Sequence, residues 1–218
     1  LRFMSQVDVY KETISIVAGD IYGCSGCADG KTTAAMFNVP ADILVLPTGE
    51  IIVADSQNHV LRKVDLDGNV STFAGRYTEP QLLGSPSSIL SIPSGYLVGD
   101  MTESKVHLVD PVTGEVTGYT DLSSESVECP SSLLQTPEGL LVSDNMANVL
   151  WIVQLSGELV LFAGSRAGGY AEGDRLSALF NSPQCITQFG DCLLVSDSGN
   201  SCLRLIDPQG KTSLYAGS

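Results

Sequence analysis

Six cysteines and two histidines are the residues of this 218-residue chain best suited to bind a metal or act as nucleophiles. Cys24-Ser25-Gly26-Cys27 has the CxxC spacing that brings two thiolates to one zinc ion or one redox couple. Structural zinc needs four ligands, and the sequence holds no second CxxC. Thioredoxin-type chemistry needs a helix N-terminus beside the thiols, which the Gly-rich surroundings do not supply. In an oxidising compartment Cys24 and Cys27 would instead close a local disulfide that stiffens the loop. His59 and His107 are too few for a three-histidine zinc site and read as turn and surface residues. Cys129, Cys185, Cys192 and Cys202 lie beside or within apolar runs and read as small buried hydrophobes. There is no G-x-S-x-G elbow for a nucleophilic serine and no Gly-rich loop opening a helix for phosphate.

Charge excludes further classes. Lys and Arg number 11 against 25 Asp and Glu, a formal charge of −14. A nucleic-acid binder needs cations to displace counterions from phosphates, so no nucleic acid is expected as partner. Anionic membrane surfaces would repel the chain, and no apolar run approaches the ~18 residues of a spanning helix, so no membrane insertion is expected. With 43% hydrophobic residues the chain can bury a core, while 17% charged residues and 22 glycines suit short strands joined by tight turns. It opens at Leu1 rather than at an initiator Met, which reads as an excised piece and leaves the absence of a leader uninformative.

The elements that would position these residues come from an internal repeat. PADILVLPTGEIIVADSQNHVLRKVDLDGNVSTFAG, starting at Pro40, recurs in altered form from Pro86, Pro130 and Pro183. In each copy an Asp follows the second apolar run: Asp55, Asp100, Asp144 and Asp197. In the first copy the apolar runs are Ile43–Leu46, Ile51–Ala54, Val60–Val64 and Val70–Phe73, broken by Gly, Pro, Asp and Asn. Such runs read as strands, and no window supports a helix of useful length. Four antiparallel strands per ~40–50 residues form a β-propeller blade. The blade prolines would precede the first strand, where a missing N–H costs little. Gly68, Gly114, Gly157 and Gly210 would supply positive φ in the hairpin between third and fourth strands. The Asp55 column, together with Asp65, Asp110 and Asp207, would hold turns, with Gln154 the exception in the second set.

The fold class expected is therefore all-β: four complete blades at about 40–75, 86–121, 130–164 and 183–217, preceded by half a blade at 1–19. Leu1-Arg2 corresponds to Leu61-Arg62 in this alignment. Four and a half blades do not close neatly, so the expectation is one domain or segment of a larger, about six-bladed ring.

Two stretches carry a family resemblance. AGDIYGCSGCADGKTTAAMFNVP leads into VADSQNHVLRKVD, and AGSRAGGYAEGDRLSALFNSP leads into VSDSGNSCLRLID. Their shared features are Asp29, Gly30, Ala35, Phe37 and Pro40, matched by Glu172, Gly173, Ala178, Phe180 and Pro183, and an Asp-x-x-Asn turn. These resemble NHL repeats, with Asn58-His59-Val60-Leu61 approximating the name-giving stretch. The middle blades depart: they lack the long linker, and Glu103 or Ala147 replaces the turn Asn. The resemblance implies a propeller and admits an enzymatic branch of metal-dependent lyases and hydrolases with axial His ligands.

Two residue columns are the candidate sites. Asp42, Ser88, Ser132 and Cys185 each stand two residues after the blade proline and would ring one channel mouth, offering oxygens to a small ligand or hard cation. One carboxylate among four is thin for a metal, and neither a metal nor a cofactor is expected. Arg62, His107, Trp151 and Arg204 share a second column; an aromatic replacing a cation at a surface position makes Trp151 a candidate contact. The function expected is a non-catalytic propeller that binds a protein through a loop-built face, with oligomeric state open. The alternatives are a metal-dependent hydrolase or lyase whose remaining ligands lie on other blades, and an extracellular recognition or sensor domain. Cys24, Cys27 and the Asn69-Val70-Ser71 sequon lean the setting towards the extracellular or lumenal.

Overall fold

A computed structural model describes residues 4–8, 13–20, 22–78, 80–123 and 127–217. The expected match of Leu1-Arg2 lies outside the described residues. The chain divides into two compact units, one of residues 1–98 with 108–117 and one of 99–107 with 118–218.

Every expected blade is a sheet of four main antiparallel strands in chain order. Blade 1 is built from Pro40–Val45, Ile51–Asp55, Val60–Val64 and Asn69–Gly75. Blade 2 comprises Pro86–Ile92, Gly95–Asp100, Lys105–Val109 and Val116–Asp121. Blade 3 comprises Pro130–Thr136, Gly139–Asp144, Val149–Gln154 and Leu159–Gly164. Blade 4 comprises Pro183–Phe189, Cys192–Asp197, Cys202–Ile206 and Lys211–Gly217. The half blade is the antiparallel pair Met4–Asp8 and Thr13–Ala18. Among the described residues the only helical pieces are single 3-10 turns, such as Ser56–Asn58 and Ser198–Asn200.

Two details differ from the expectation. The prolines are the first residue of their strands, and the register slips immediately after Pro40, Pro130 and Pro183. A bulge there explains how a residue without an N–H is tolerated in the ladder. Blades 1 and 4 also gain a fifth strand of two residues, Gly30-Lys31 and Gly173-Asp174, paired to the outer fourth strand. Two residues carry no periodicity, so the sequence pattern could not reveal them.

Turn chemistry follows the sequence reading. Gly68, Gly114, Gly157 and Gly210 have φ of 78°, 71°, 88° and 84°. Asp65 accepts the N–H groups of Asp67 and Asn69, Asp110 those of Val112 and Thr113, and Asp207 those of Gln209 and Lys211. The Asn69 side chain and then these N–H groups hold the Asp65 carboxyl below the ordinary carboxylate range, and the Thr113 and Val112 N–H groups do the same for Asp110. His59 is a turn residue as expected, in left-handed backbone at φ 61°, the conformation that Asn148 and Ser201 adopt at the same place in blades 3 and 4.

The cores lie between sheets. In the first unit Ile52, Leu61, Ala74, Ile89 and Val98 pack together, drawn from blades 1 and 2. In the second, Leu141, Leu150, Phe162, Ile186 and Val195 join blades 3 and 4. Alternate strand residues enter these clusters because side chains alternate faces along a strand.

Candidate functional site

The Asp55 column is fully buried: Asp55, Asp100, Asp144 and Asp197 are 0% exposed. Its role is larger than a local turn. Asp55 accepts from the Asn38 N–H at 2.7 Å and from Asn58 Nδ2 at 2.7 Å, and Arg62 Nη1 approaches at 3.1 Å. Asp197 repeats this with Asn181 N–H at 2.7 Å, Asn200 Nδ2 at 2.8 Å and Arg204 Nη1 at 3.0 Å. Asp55 and Asp197 therefore each tie the second strand, the turn and the segment before the blade proline into one network.

Arg62 and Arg204 complete it. Arg62 donates from Nη1 to the Met36 carbonyl and from Nη2 to the Ala28 carbonyl and Asp29, at 2.9, 2.9 and 2.7 Å. Arg204 donates to the Leu179 and Ala171 carbonyls at 2.9 and 2.7 Å. Phe37 lies 5.4 Å from the Arg62 guanidinium, and Phe180 lies 5.3 Å from that of Arg204. Where blade 1 has the Asp29 carboxylate, blade 4 has the Tyr170 ring, 4.5 Å from Arg204. Both arginines thus pin the long linker onto their blade.

This corrects the reading of the second column as a surface. Arg62 and Arg204 are 0% exposed, and His107 and Trp151 are each 6% exposed. The strand register explains it: Arg62, Trp151 and Arg204 face Val53, Val142 and Val195, and each follows a bulge against the fourth strand. Trp151 gives its indole N–H to Asp144 at 3.3 Å, and Arg166 covers its ring at 5.5 Å. His107 Nε2 stands 3.5 Å from Asp100 and 3.8 Å from Glu103. Trp151 is therefore a packing residue, not an exposed contact.

The first column also has internal work. Asp42 accepts the Ile89 N–H at 2.8 Å, reaching from the first strand of blade 1 to that of blade 2. Ser132 accepts the Ile186 N–H at 3.3 Å, the same step from blade 3 to blade 4. Ser88 is buried, and Cys185 is exposed, with its Sγ 3.8 Å from Ser132 Oγ. Burial pushes the Asp42 carboxyl up from the ordinary value, against the N–H bonds from Ile89 and Ile43 that favour the anion. Two of the four residues are thus occupied by neighbouring strands.

Cys24 and Cys27 stand on the exposed surface of the linker as thiols. Cys129 and Cys202 are buried as expected, whereas Cys185 is exposed and Cys192 half-buried. Burial, with Asp144 and Glu128 adding to it, pushes the Cys129 thiol to about 11, which makes it unreactive at neutral pH. Among the described residues no group of three or more His, Cys, Asp or Glu is arranged to hold a metal ion, and no helix is long and apolar enough to cross a membrane.

The sequence reading missed a groove in the second unit. Glu138, from the first hairpin of blade 3, and Arg175, from the linker, are shared by three adjoining cavities of about 470, 660 and 400 Å³. Its floor includes Leu141, Phe162, Leu193 and Ile206. The Arg175 guanidinium lies 4.6 Å above the Phe162 ring. Nothing in the spacing of Arg175 signals this, because the contact depends on how the linker folds back.

Comparisons with known proteins address the fold. Neither a family model nor a curated protein matches the sequence. Solved structures do match. A structural-genomics protein of unknown function from Bacteroides thetaiotaomicron aligns with a TM-score of 0.57 and 19% identity, covering 94% of this chain and 64% of that one. Virginiamycin B lyase from Staphylococcus aureus, in a structure with quinupristin, aligns at 0.61 and 15%, covering 98% and 76%. A chain of a nidogen/laminin complex aligns at 0.69 and 12%, covering 99% and 72%. This chain spans 54% to 64% of the length of the first three structures matched. At such identities the likeness establishes the fold alone, and that fold is an all-β propeller.

Proposed function

We propose that this chain is a non-catalytic, NHL-type propeller module that binds a protein partner. The observation that carries the reading is where its polar residues are used. The buried Asp and Arg side chains serve the blades and linkers internally, while an apolar groove with charged walls is left open on that locked frame. A rigid frame lowers the ordering cost of binding, so exposed groove residues can contribute most of their contact energy. The match to a chain of a nidogen/laminin complex supports the reading, since that fold occurs there within a protein–protein assembly.

The likeness to virginiamycin B lyase favours a second reading, an enzyme that depends on a metal and whose ligands lie on blades outside this chain. Elemental analysis of the purified protein, with melting curves in chelator, separates the two. The module is expected to carry no stoichiometric metal and to melt at the same temperature with and without chelator. One equivalent of bound Ca²⁺ or Zn²⁺, lost with a fall in melting temperature, would overturn it. An oxidising setting is tested by mass spectrometry without reductant: Cys24 and Cys27 joined in a disulfide supports it, and both as free thiols in secreted material sinks it.

A further inference from the structure

We propose that the groove around Arg175 takes an extended peptide carrying Lys or Arg beside apolar residues. The inference rests on the protein-binding reading above and adds the chemistry of the partner.

Size is the first argument. The three cavities share Glu138 and Arg175 in their lining, so they run together as one groove larger than any of them alone. Large apolar side chains along them are open to solvent: Leu155 is 80% exposed, Leu176 59% and Leu161 41%. Exposed leucines grouped along one groove mark an interaction surface rather than scattered surface residues.

Charge decides what fills it. Glu138, Asp174, Asp191 and Asp207 line the cavities, against the single cation Arg175. Asp207 is partly committed to its own turn through the Gln209 and Lys211 N–H bonds. The surplus remains negative, on a chain of net charge −14, so a basic segment is steered in and an acidic one is repelled.

The groove already shows the contact it would make. Arg175 is exposed, makes no ion pair among the described residues, and stacks on Phe162 at 4.6 Å. A guanidinium on an aromatic face is a favourable pairing, so Arg175 occupies from within the platform that an incoming Arg or Lys would use. The equivalent place in the first unit lacks this surplus. There Lys63 pairs with Glu50 at 2.7 Å, and Tyr96 packs edge-on against Phe73 at 6.1 Å, in a cavity of about 390 Å³.

The test uses the whole chain and three sets of labelled ten-residue peptides in which Leu alternates with Lys/Arg, with Ser/Gln or with Asp/Glu, read by fluorescence anisotropy at low and high salt. Basic peptides are expected to bind at least tenfold tighter than the other sets, and to weaken with salt. Glu138→Lys with Asp191→Lys, both on exposed hairpins, should abolish that preference at unchanged melting temperature. Arg175→Ala gives the sign: affinity for basic peptides should rise several-fold, because a like charge and an internal competitor are removed. A fall in affinity with Arg175→Ala, or basic binding that survives the double charge reversal, overturns the proposal. Preference for neutral or acidic peptides overturns the proposed partner chemistry while leaving the protein-binding reading intact. No binding by any set overturns this inference; stoichiometric metal in the parallel analysis overturns the reading beneath it.

Discussion

Blades 1 and 4 bury an arginine at the place where blade 3 buries a tryptophan and blade 2 a histidine, and the difference tracks the chain that precedes each blade. Long linkers, Asp20–Asn38 and Ser165–Ser182, precede blades 1 and 4. They supply the carbonyls of Ala28 and Met36 to Arg62, and of Ala171 and Leu179 to Arg204. A buried guanidinium needs those acceptors, because an unpaired buried charge is costly. Blades 2 and 3 follow shorter connections, and among the described residues neither His107 nor Trp151 has a hydrogen bond to a carbonyl from them. Trp151 has a single polar atom to satisfy, and Asp144 satisfies it. The Asp144 carboxylate is left to the N–H groups of Glu128, Cys129 and Ala147. The Asp is thus common to all four blades, and the partner across the sheet is chosen by the linker.

Breaking an arginine should produce the largest effect. Arg204→Met leaves Asp197 buried opposite an apolar side chain and frees the Ala171 and Leu179 carbonyls. The expected loss is about 3–5 kcal/mol, the usual cost of removing one partner of a buried pair. Denaturant unfolding measures it, and limited proteolysis should show cutting within 165–182 before the blades are attacked. Adding Asp197→Asn should cost less than the sum of the two single changes, since the stranded charge is then removed. A loss below about 1 kcal/mol for Arg204→Met would mean that the network does not hold the linker.

Making blade 3 resemble blade 4 tests the linker argument directly. Trp151→Phe removes one hydrogen bond and leaves most of the packing, for an expected loss of about 1–3 kcal/mol. Trp151→Arg should cost more than Trp151→Phe, although it installs the residue that blades 1 and 4 prefer. The new cation could reach Asp144 but would find no linker carbonyls for its remaining donors. If Trp151→Arg matches the wild-type melting temperature, the coupling of arginine to linker is wrong.

That coupling was present in the sequence but was not read from it. The strands, the hairpin glycines and the turn aspartates are local features: each depends on neighbours within a few residues, and they recur in four blades, or in three for the turn aspartates. The burial of Arg62 and Arg204 is not local. A cationic residue among apolar neighbours looks like an exposed position until one knows that Phe37, Phe180 and the linker carbonyls fold over it. One signal was available: among the four complete blades, Arg stands at this place in the two that also carry the A-x-F-x-x-P segment and the turn Asn. The bonds of Asp42 to Ile89 and of Ser132 to Ile186 were hidden for a related reason, since they depend on which strand lies alongside. The groove was hidden most completely. It requires Arg175 on the linker to meet Phe162 on a strand, and neither residue is marked by repetition or spacing.

The turn aspartates give the smallest effect and the control for the buried ones. Asp65 is half-buried, unlike the fully buried Asp55, and its carboxyl is held below the ordinary value first by the Asn69 side chain and then by backbone N–H groups. A group with a depressed folded value contributes stability above its unfolded value, and that contribution disappears as pH falls through the folded value. Asp65→Ala should therefore lower the melting temperature slightly at neutral pH and leave it unchanged at the acid end, below the usual carboxylate range of about 3.9. Melting curves from pH 7 to 2 on wild type and variant would show the two converging as pH falls. A gap that widens towards acid would mean that Asp65 holds its turn in the protonated form, which its three acceptor bonds to Asp67 and Asn69 oppose.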